Sequence, residues 1–515
     1  MIRLPICLPI CRPFDRRPHG PCNTRLTQGS RRARWASALA AGLAIASAHA
    51  GEVAVDFDFA QARDFIGFGT QVWLRGDRGG GEAAGGKIGP KMRQKLTALN
   101  AAADSDEAGT QLLKELNARF VRVSLIPKLS FDELRPGMSV DQLLEVLQRN
   151  DNPAQRDRLA AFNQRMKALN IQPVLIFWRM PTPWAEVRKQ KAGSKSQAHF
   201  AKNEHIADYA NLLTAQMVWL QRQGVQAVAV ELTNEPHGAW DTKYEREQYA
   251  ALVQRTRAAM DARGLQSWAI AGPGTGIRNF DHYIGGLVNA SAAKSLGFIS
   301  AHSYVTPQVL ADAGSPGMAS FLGRGKFGPI LVTEFGVKKH NDDDAEAAND
   351  LDVDSPAYAV QAAASATLLL GQGANGLIYW QLQDHGFTKK EHGMLSEEGE
   401  RRPVAYAMKA LFGSVPVGAK VVGSRKLSAE LPAAALQAEG KTYVMLVNNG
   451  AQAQSVTARL QGAKACGGVA RVDAYNAGGA DAKAAVRNAS AQSGAQGCTL
   501  KAELQPGTVA TVVLQ

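Results

Sequence analysis

Cysteine is scarce in this chain: five in 515 residues, and three of them (Cys7, Cys11, Cys22) crowd into the first twenty-two positions. No cysteine or histidine pair has the spacing of a zinc site, so no zinc is expected. No run approaches about 18 unbroken apolar residues, which argues against a helix spanning a membrane. No stripe of Lys and Arg interleaved with aromatics appears either, which argues against nucleic acid as a partner. The formal charge of +12 does not rescue that idea, because eight arginines and one aspartate lie in residues 1–50 and carry +7 of it.

Those first fifty residues read as an export signal. Arg31-Arg32-Ala33-Arg34 is a positive segment, Ala36 to Ser47 a short apolar stretch, and Ala48-His49-Ala50 a small-x-small cleavage pattern. Cleavage near Ala50 and a periplasmic or extracellular protein are expected. Residues 1–25, rich in Pro and Arg, precede that signal and fit a start codon placed upstream of the true one. For an exported chain Cys466 and Cys498 suggest one disulfide, with two free buried thiols as the alternative.

From Phe65 to Phe412 short apolar runs alternate with amphipathic stretches, the pattern of repeated strand–helix units. Strands are expected at Phe65–Val72, Phe120–Leu125, Pro173–Trp178, Ala227–Asn234, Trp268–Gly272, Gly297–Tyr304, Ile330–Gly336 and Gly376–Gln381. Eight such strands fit an α/β protein built on a (β/α)8 TIM barrel over residues 65–412. Three polar excursions interrupt it: the Gly-rich 76–89, the segment 189–202, and the acidic 340–354, read as a solvated loop or a cation site. Residues 413–515 change texture to short alternating strands, the mark of a small β-sandwich. Residues 51–64 also alternate and are expected to join that C-terminal sheet.

Two of the expected barrel strands end in a glutamate. One runs Val230-Glu231-Leu232-Thr233-Asn234-Glu235-Pro236, the other Ile330-Leu331-Val332-Thr333-Glu334-Phe335-Gly336. Strand ends at the C-terminal face are where barrel enzymes assemble their sites. Two carboxyl groups, one protonated and one ionised, are what hydrolysis of a glycosidic bond requires. A lone Arg122 in the apolar strand Phe120-Val121-Arg122-Val123 needs a buried carboxylate partner, and Glu231 shares the strand parity of Glu235. His302 and Tyr304 fall on one side of the sixth strand. Trp73, Trp178, Trp184, Trp240 and Trp380 all stand at or just past strand ends, where indole faces suit pyranose rings.

Asn-Glu-Pro on the fourth strand, Thr-Glu-Phe-Gly on the seventh and a Trp closing the eighth resemble the clan A retaining glycoside hydrolases, families five and thirty-nine. The resemblance covers about Phe65 to Phe412, and Pro181-Thr182-Pro183-Trp184 is closer to family thirty-nine. It implies that Glu235 is the general acid/base, Glu334 the nucleophile, Asn234 the partner of the sugar 2-hydroxyl, and Arg122 and Tyr304 supports of the nucleophile. His302 would face the sugar and Trp380 would floor it. The substrate implied is a β-linked polysaccharide such as cellulose, mannan or an exopolysaccharide, cleaved with neither metal nor organic cofactor. The five aromatics suggest a cleft for several sugars, hence endo action, and a monomer is expected. Alternatives are a non-catalytic glycan-binding barrel or a transglycosylase using the same pair. His237, Gln383, Asp384 and His385 are further contacts to weigh against plain loop residues.

Overall fold

The structure, a computed structural model, describes residues 52–73, 104–127, 129–189, 197–239, 241–312, 328–337, 352–384, 392–495 and 497–515. The expected excursions at 76–89 and 340–351, His385 and Trp240 lie outside the described residues.

Eight parallel strands close into a barrel: Gly67–Val72, Phe120–Val123, Gln172–Ile176, Ala229–Glu231, Ala269–Gly276, Phe298–Ser303, Ile330–Phe335 and Gly376–Tyr379. Each pairs with its sequence neighbour, and the eighth returns to the first through Gly376 against Gly67. All eight expected strands are therefore present, with ends trimmed or shifted by a few residues. The strand residues are buried almost throughout, which is why they read as continuous apolar runs rather than alternating ones. One residue from each of six strands (Phe120, Val174, Ala229, Ala271, Leu331, Ile378) fills the barrel interior.

Around the strands lie helices including Pro153–Leu169, Ile206–Arg222, Arg246–Asp261, Pro356–Gly371 and Pro403–Phe412. Proline opens three of these, at the position where its missing N–H costs nothing. A further helix, Phe280–Asn289, fills the crossover between the fifth and sixth strands. A helix the sequence reading passed over, Val140–Arg149, is fixed by a capping box between Ser139 and Gln142. The polar excursion at 189–202 is in part a hairpin: Ala185–Lys189 pairs antiparallel with Gln197–Ala201. Ala198 and His199, neighbours on opposite faces of the second strand, are both buried, so no alternation marked the hairpin in the sequence.

Past the barrel, two sheets face each other, antiparallel except for one strand pair. The six-stranded one includes Val469–Asn476, Thr508–Leu514, Lys441–Asn448, Ala433–Ala438 and Lys420–Gly423, with Arg63–Asp64 at its edge. The four-stranded one takes Glu52–Asp58, which runs parallel to Gln454–Gln461. Cys466 and Cys498 form a disulfide with Cα atoms 5.5 Å apart, closing a loop of 32 residues. A loop of that length is worth about 3–4 kcal/mol in the chain-entropy account.

The six-stranded sheet is packed onto the barrel's own helices. Leu436, Tyr443, Met445 and Val513 belong to the same apolar core as the barrel. Arg63 donates to the carbonyls of Leu370, Gly373 and Ala374, capping the C-terminal end of helix Pro356–Gly371. Tyr443 is buried and Tyr475 packs against that core, so neither offers an open aromatic face. Deleting residues 413–515 is expected to yield an aggregated or unfolded barrel, read by circular dichroism and gel filtration. A folded, monodisperse barrel would show that the sandwich is dispensable.

Candidate active site

All the chemistry-bearing side chains lie at the C-terminal ends of the barrel strands. Glu235 follows strand four and Glu334 ends strand seven. Carboxylate oxygens of the two, together with a ring nitrogen of His302, lie within 4.8 Å of one another. Glu334 is buried and Glu235 partly exposed. Glu235 sits in the left-handed region at φ 42°, a conformation that costs a residue with a side chain about 1–3 kcal/mol. The turn around it is held from several sides. Gly238 N–H donates to the Glu235 carbonyl, and Tyr283 Oη donates to the Pro236 carbonyl at 2.8 Å. Tyr244 N–H donates to that same carbonyl.

Arg122, on strand two, is fully buried and organises the floor of the site. Its Nε donates to Glu231 Oε2 at 2.7 Å and its Nη1 to Glu334 Oε1 at 2.6 Å. Nη1 also donates to Gln71 Oε1 and Nη2 to Asn234 Oδ1, both at 3.0 Å. Burial alone would lower the guanidinium pKa, but Glu231 and Glu334 outweigh it and raise it, so the charge is permanent. Glu231 takes donors on its other oxygen too, from Ser300 at 2.8 Å and Thr333 at 2.7 Å. Its burial pushes toward the neutral acid, but Arg122, His302 and the Thr333 hydroxyl prevail and hold its pKa below the usual carboxylate range.

Tyr304 Oη donates to Glu334 Oε2 at 2.7 Å, so each oxygen of that carboxylate has its own donor. Burial first, and the Glu334 charge second, push the Tyr304 hydroxyl well above its ordinary range, so it stays a donor. His302 Nδ1 lies 2.9 Å from Glu235 Oε1 and 3.5 Å from Glu334 Oε2, spanning the pair. Burial opposes a charged ring, yet the two carboxylates win and raise its pKa above the ordinary value. The Glu235, His302 and Glu334 atoms have the closeness of a metal set. Here they are already bonded to Arg122, to Tyr304 and to one another.

Three tryptophans form the wall. Trp73 and Trp178 stack with ring centres 5.6 Å apart and planes 11° apart, and Trp380 stands edge-on to both. All three are partly exposed. A stack that tight leaves no room for a ligand ring between the two indoles, so any platform is an outer face of the cluster. Arg122 lies 5.5 Å from the Trp178 ring centre, tying wall to floor. Trp184 is a correction to the sequence reading: it is 1% exposed and stacked on His205 within the apolar core, out of reach of any ligand.

Other side chains sort themselves by contact. Asp384 is buried structure, accepting from Gln381 Nε2 at 3.2 Å, from the His392 and Gly393 N–H groups, and from Arg402. Gln383 bonds the Glu397 carbonyl. His237 Nδ1 lies 2.6 Å from Thr275 Oγ1, and burial lowers its pKa. Three residues escaped the sequence reading. Gln71 carried a usable signal, a polar residue in a buried strand like Arg122. Gln381, which accepts from Trp73 Nε1 at 2.6 Å, and Asp241, which accepts from Asn234 Nδ2 at 3.0 Å, carried none.

Gly274 shows how closely the floor is fitted. It has φ 59°, and a Cβ there would stand 2.6 Å from Glu231 Oε1. Gly274→Ala is expected to cost about 2 kcal/mol or more of stability, lowering the melting temperature. An unchanged melting curve would mean that the floor can shift.

Solved structures with the same architecture are numerous. The chain matches a glycoside hydrolase family 30 subfamily 8 xylanase from Clostridium acetobutylicum with a TM-score of 0.62 at 18% identity, over 90% of this chain and 99% of that one. It matches an endo-beta1,6-glucanase at 0.58 and 14% identity, over 89% and 93%. A family 51 arabinofuranosidase from Xanthomonas axonopodis pv. citri matches at 0.53 and 15%, over 90% and 100%. At these identities the likeness establishes the fold, a barrel with an attached sandwich. No protein-family model matches the sequence, and no curated protein sequence does.

Proposed function

We propose that the chain is a retaining glycoside hydrolase that cleaves internal β-linkages of a polysaccharide by double displacement. The observation that carries the reading is the placement of Glu235, just past strand four, and Glu334, on strand seven, with carboxylate oxygens within 4.8 Å of each other. Retaining pairs stand about 5–5.5 Å apart, whereas inverting pairs need about 6.5–9.5 Å to admit a water. In the first step Glu334, ionised beside Arg122, attacks the anomeric carbon while Glu235 gives its proton to the departing oxygen. In the second step Glu235 takes a proton from water, which attacks the same carbon and releases Glu334. Asn234, anchored through its Oδ1 by Arg122, presents its amide to the sugar 2-hydroxyl.

The fold-mates named for xylan-type and β-1,6-glucan substrates support a polymer as substrate. Xylans and β-glucans are therefore the first polymers to try. Export is part of the proposal too, supported by the leader-like residues 1–50 and by a disulfide, a bond that persists in oxidising compartments. The test is the stereochemistry of the first product, followed by NMR, with a 2-fluoro glycoside as covalent trap. The expected product is the β-anomer, with the label on Glu334 by mass spectrometry. An α-anomer, or a label elsewhere, would overturn the assignment.

A further inference from the structure

Asp241 belongs to no part of the two-step scheme, yet it touches the site. Six residues beyond Glu235, it lies in the loop that returns from strand four. That loop is tied down on both flanks: His199 N–H donates to the Ala239 carbonyl, Met180 N–H to Thr242 Oγ1 at 3.1 Å, and Lys243 N–H to the His199 carbonyl. Asp241 Oδ2 accepts from Asn234 Nδ2 at 3.0 Å, while Arg122 Nη2 donates to Asn234 Oδ1 at 3.0 Å. The amide of Asn234 is thus gripped at both ends, its oxygen by a cation and its nitrogen by a carboxylate. The second N–H of the amide is the one left to point at a substrate.

We propose that Asp241 is a positioning residue, which through Asn234 strengthens the contact to the sugar 2-hydroxyl only while its own carboxyl is ionised. The inference rests on the glycosidase reading above. A carboxylate acceptor makes a bond about twice as strong as a neutral one, so it fixes the amide plane and with it the direction of the remaining N–H. The groups facing Asp241 decide when that holds. Arg179 Nη2, at 3.9 Å, favours the ionised form, as does the Asn234 bond. The charges of Glu235 and Glu334 oppose it, and the buried hydroxyls of Tyr209 and Tyr244 lie close by. Burial is the largest influence and pushes the carboxyl up to about 6.

The experiment compares the native chain with Asp241→Asn, which keeps an acceptor oxygen but cannot ionise. The probes are the aryl β-glycoside that the chain cleaves fastest and its 2-deoxy analogue. For the native chain, kcat/KM on the 2-hydroxy substrate should rise about fivefold between pH 5 and pH 7. Asp241→Asn should remove that step, and the 2-deoxy substrate should lack it in both proteins. A step that survives in Asp241→Asn, or appears equally with the 2-deoxy sugar, overturns the inference. Stability gives a second readout that needs no turnover. A carboxyl raised in the folded state adds stability below its unfolded pKa and loses it as pH climbs through about 6. The native chain should therefore lose melting temperature relative to Asp241→Asn over that range. A constant difference sinks this inference alone. A chain that cleaves no glycoside sinks the proposed function and this inference together.

Discussion

Glu334→Gln is expected to lower kcat by on the order of 10⁴-fold or more, because it removes the atom that forms the covalent bond. The amide is nearly isosteric, its oxygen can accept from Arg122 and its NH2 can donate to the Tyr304 hydroxyl, so the fold and the affinity for glycan should survive. Isothermal titration with an oligosaccharide inhibitor of the native chain would show that. Glu235→Gln should behave differently. It removes the proton donor, a loss of about 10²–10⁴-fold, but an aryl glycoside with a good leaving group needs no donor for the first step. With such a substrate the covalent intermediate should accumulate, so kcat and KM fall together. Added azide, a nucleophile that needs no general base, should restore turnover to Glu235→Gln and give a β-glycosyl azide. Restoration in Glu334→Gln with an α-azide would likewise confirm the roles; the reverse pattern in the two variants would exchange them.

How much of this could be seen in the sequence follows from how local each signal was. The barrel strands were legible because parallel strands buried on both faces are uninterrupted apolar runs, and Ile330–Phe335 is one. Charged residues inside such runs, Arg122 and Glu231, advertised a buried network because nothing else makes a charge tolerable there. Which oxygen meets which nitrogen was not legible, since strands two, four and seven are brought together only by closure of the barrel. Aromatic placement was a weaker guide. Trp178 and Trp184 stand six residues apart beside the same strand end, yet one joins the site wall and the other the core. The difference lies in the turn Thr182–Trp184, which swings the second indole inward onto His205. Asp241 was invisible for a related reason. A single acid in a polar loop has no periodicity, and only the fold of that loop over Asn234 gives it a role.

The second large effect concerns Arg122. Arg122→Met is expected to destabilise the protein by about 3–5 kcal/mol, the cost of leaving buried carboxylates without their counter-charge. Glu231 would keep Ser300 and Thr333 on one oxygen and lose its partner on the other. The loss should depend on pH in a defined direction. In the native chain Glu231 is held below the usual range, so it contributes stability above its unfolded pKa and loses it as pH falls. Without Arg122, burial becomes its dominant influence, and the variant gains stability from protonation as pH falls. Both effects make the gap between native and variant largest near neutrality and smaller toward pH 4, which urea unfolding at several pH values would record. A gap independent of pH would mean that packing, not charge, is what Arg122 supplies. Arg122→Lys should rescue little, because one ammonium cannot reach Glu231, Glu334, Gln71 and Asn234 from one position. The double variant Arg122→Met/Glu231→Leu should recover much of the stability, since an apolar pair can replace a buried ionic one. It should not recover turnover, because Glu334 and Asn234 would still lack the guanidinium that orients them. Recovery of both together would reduce Arg122 to a structural ion pair.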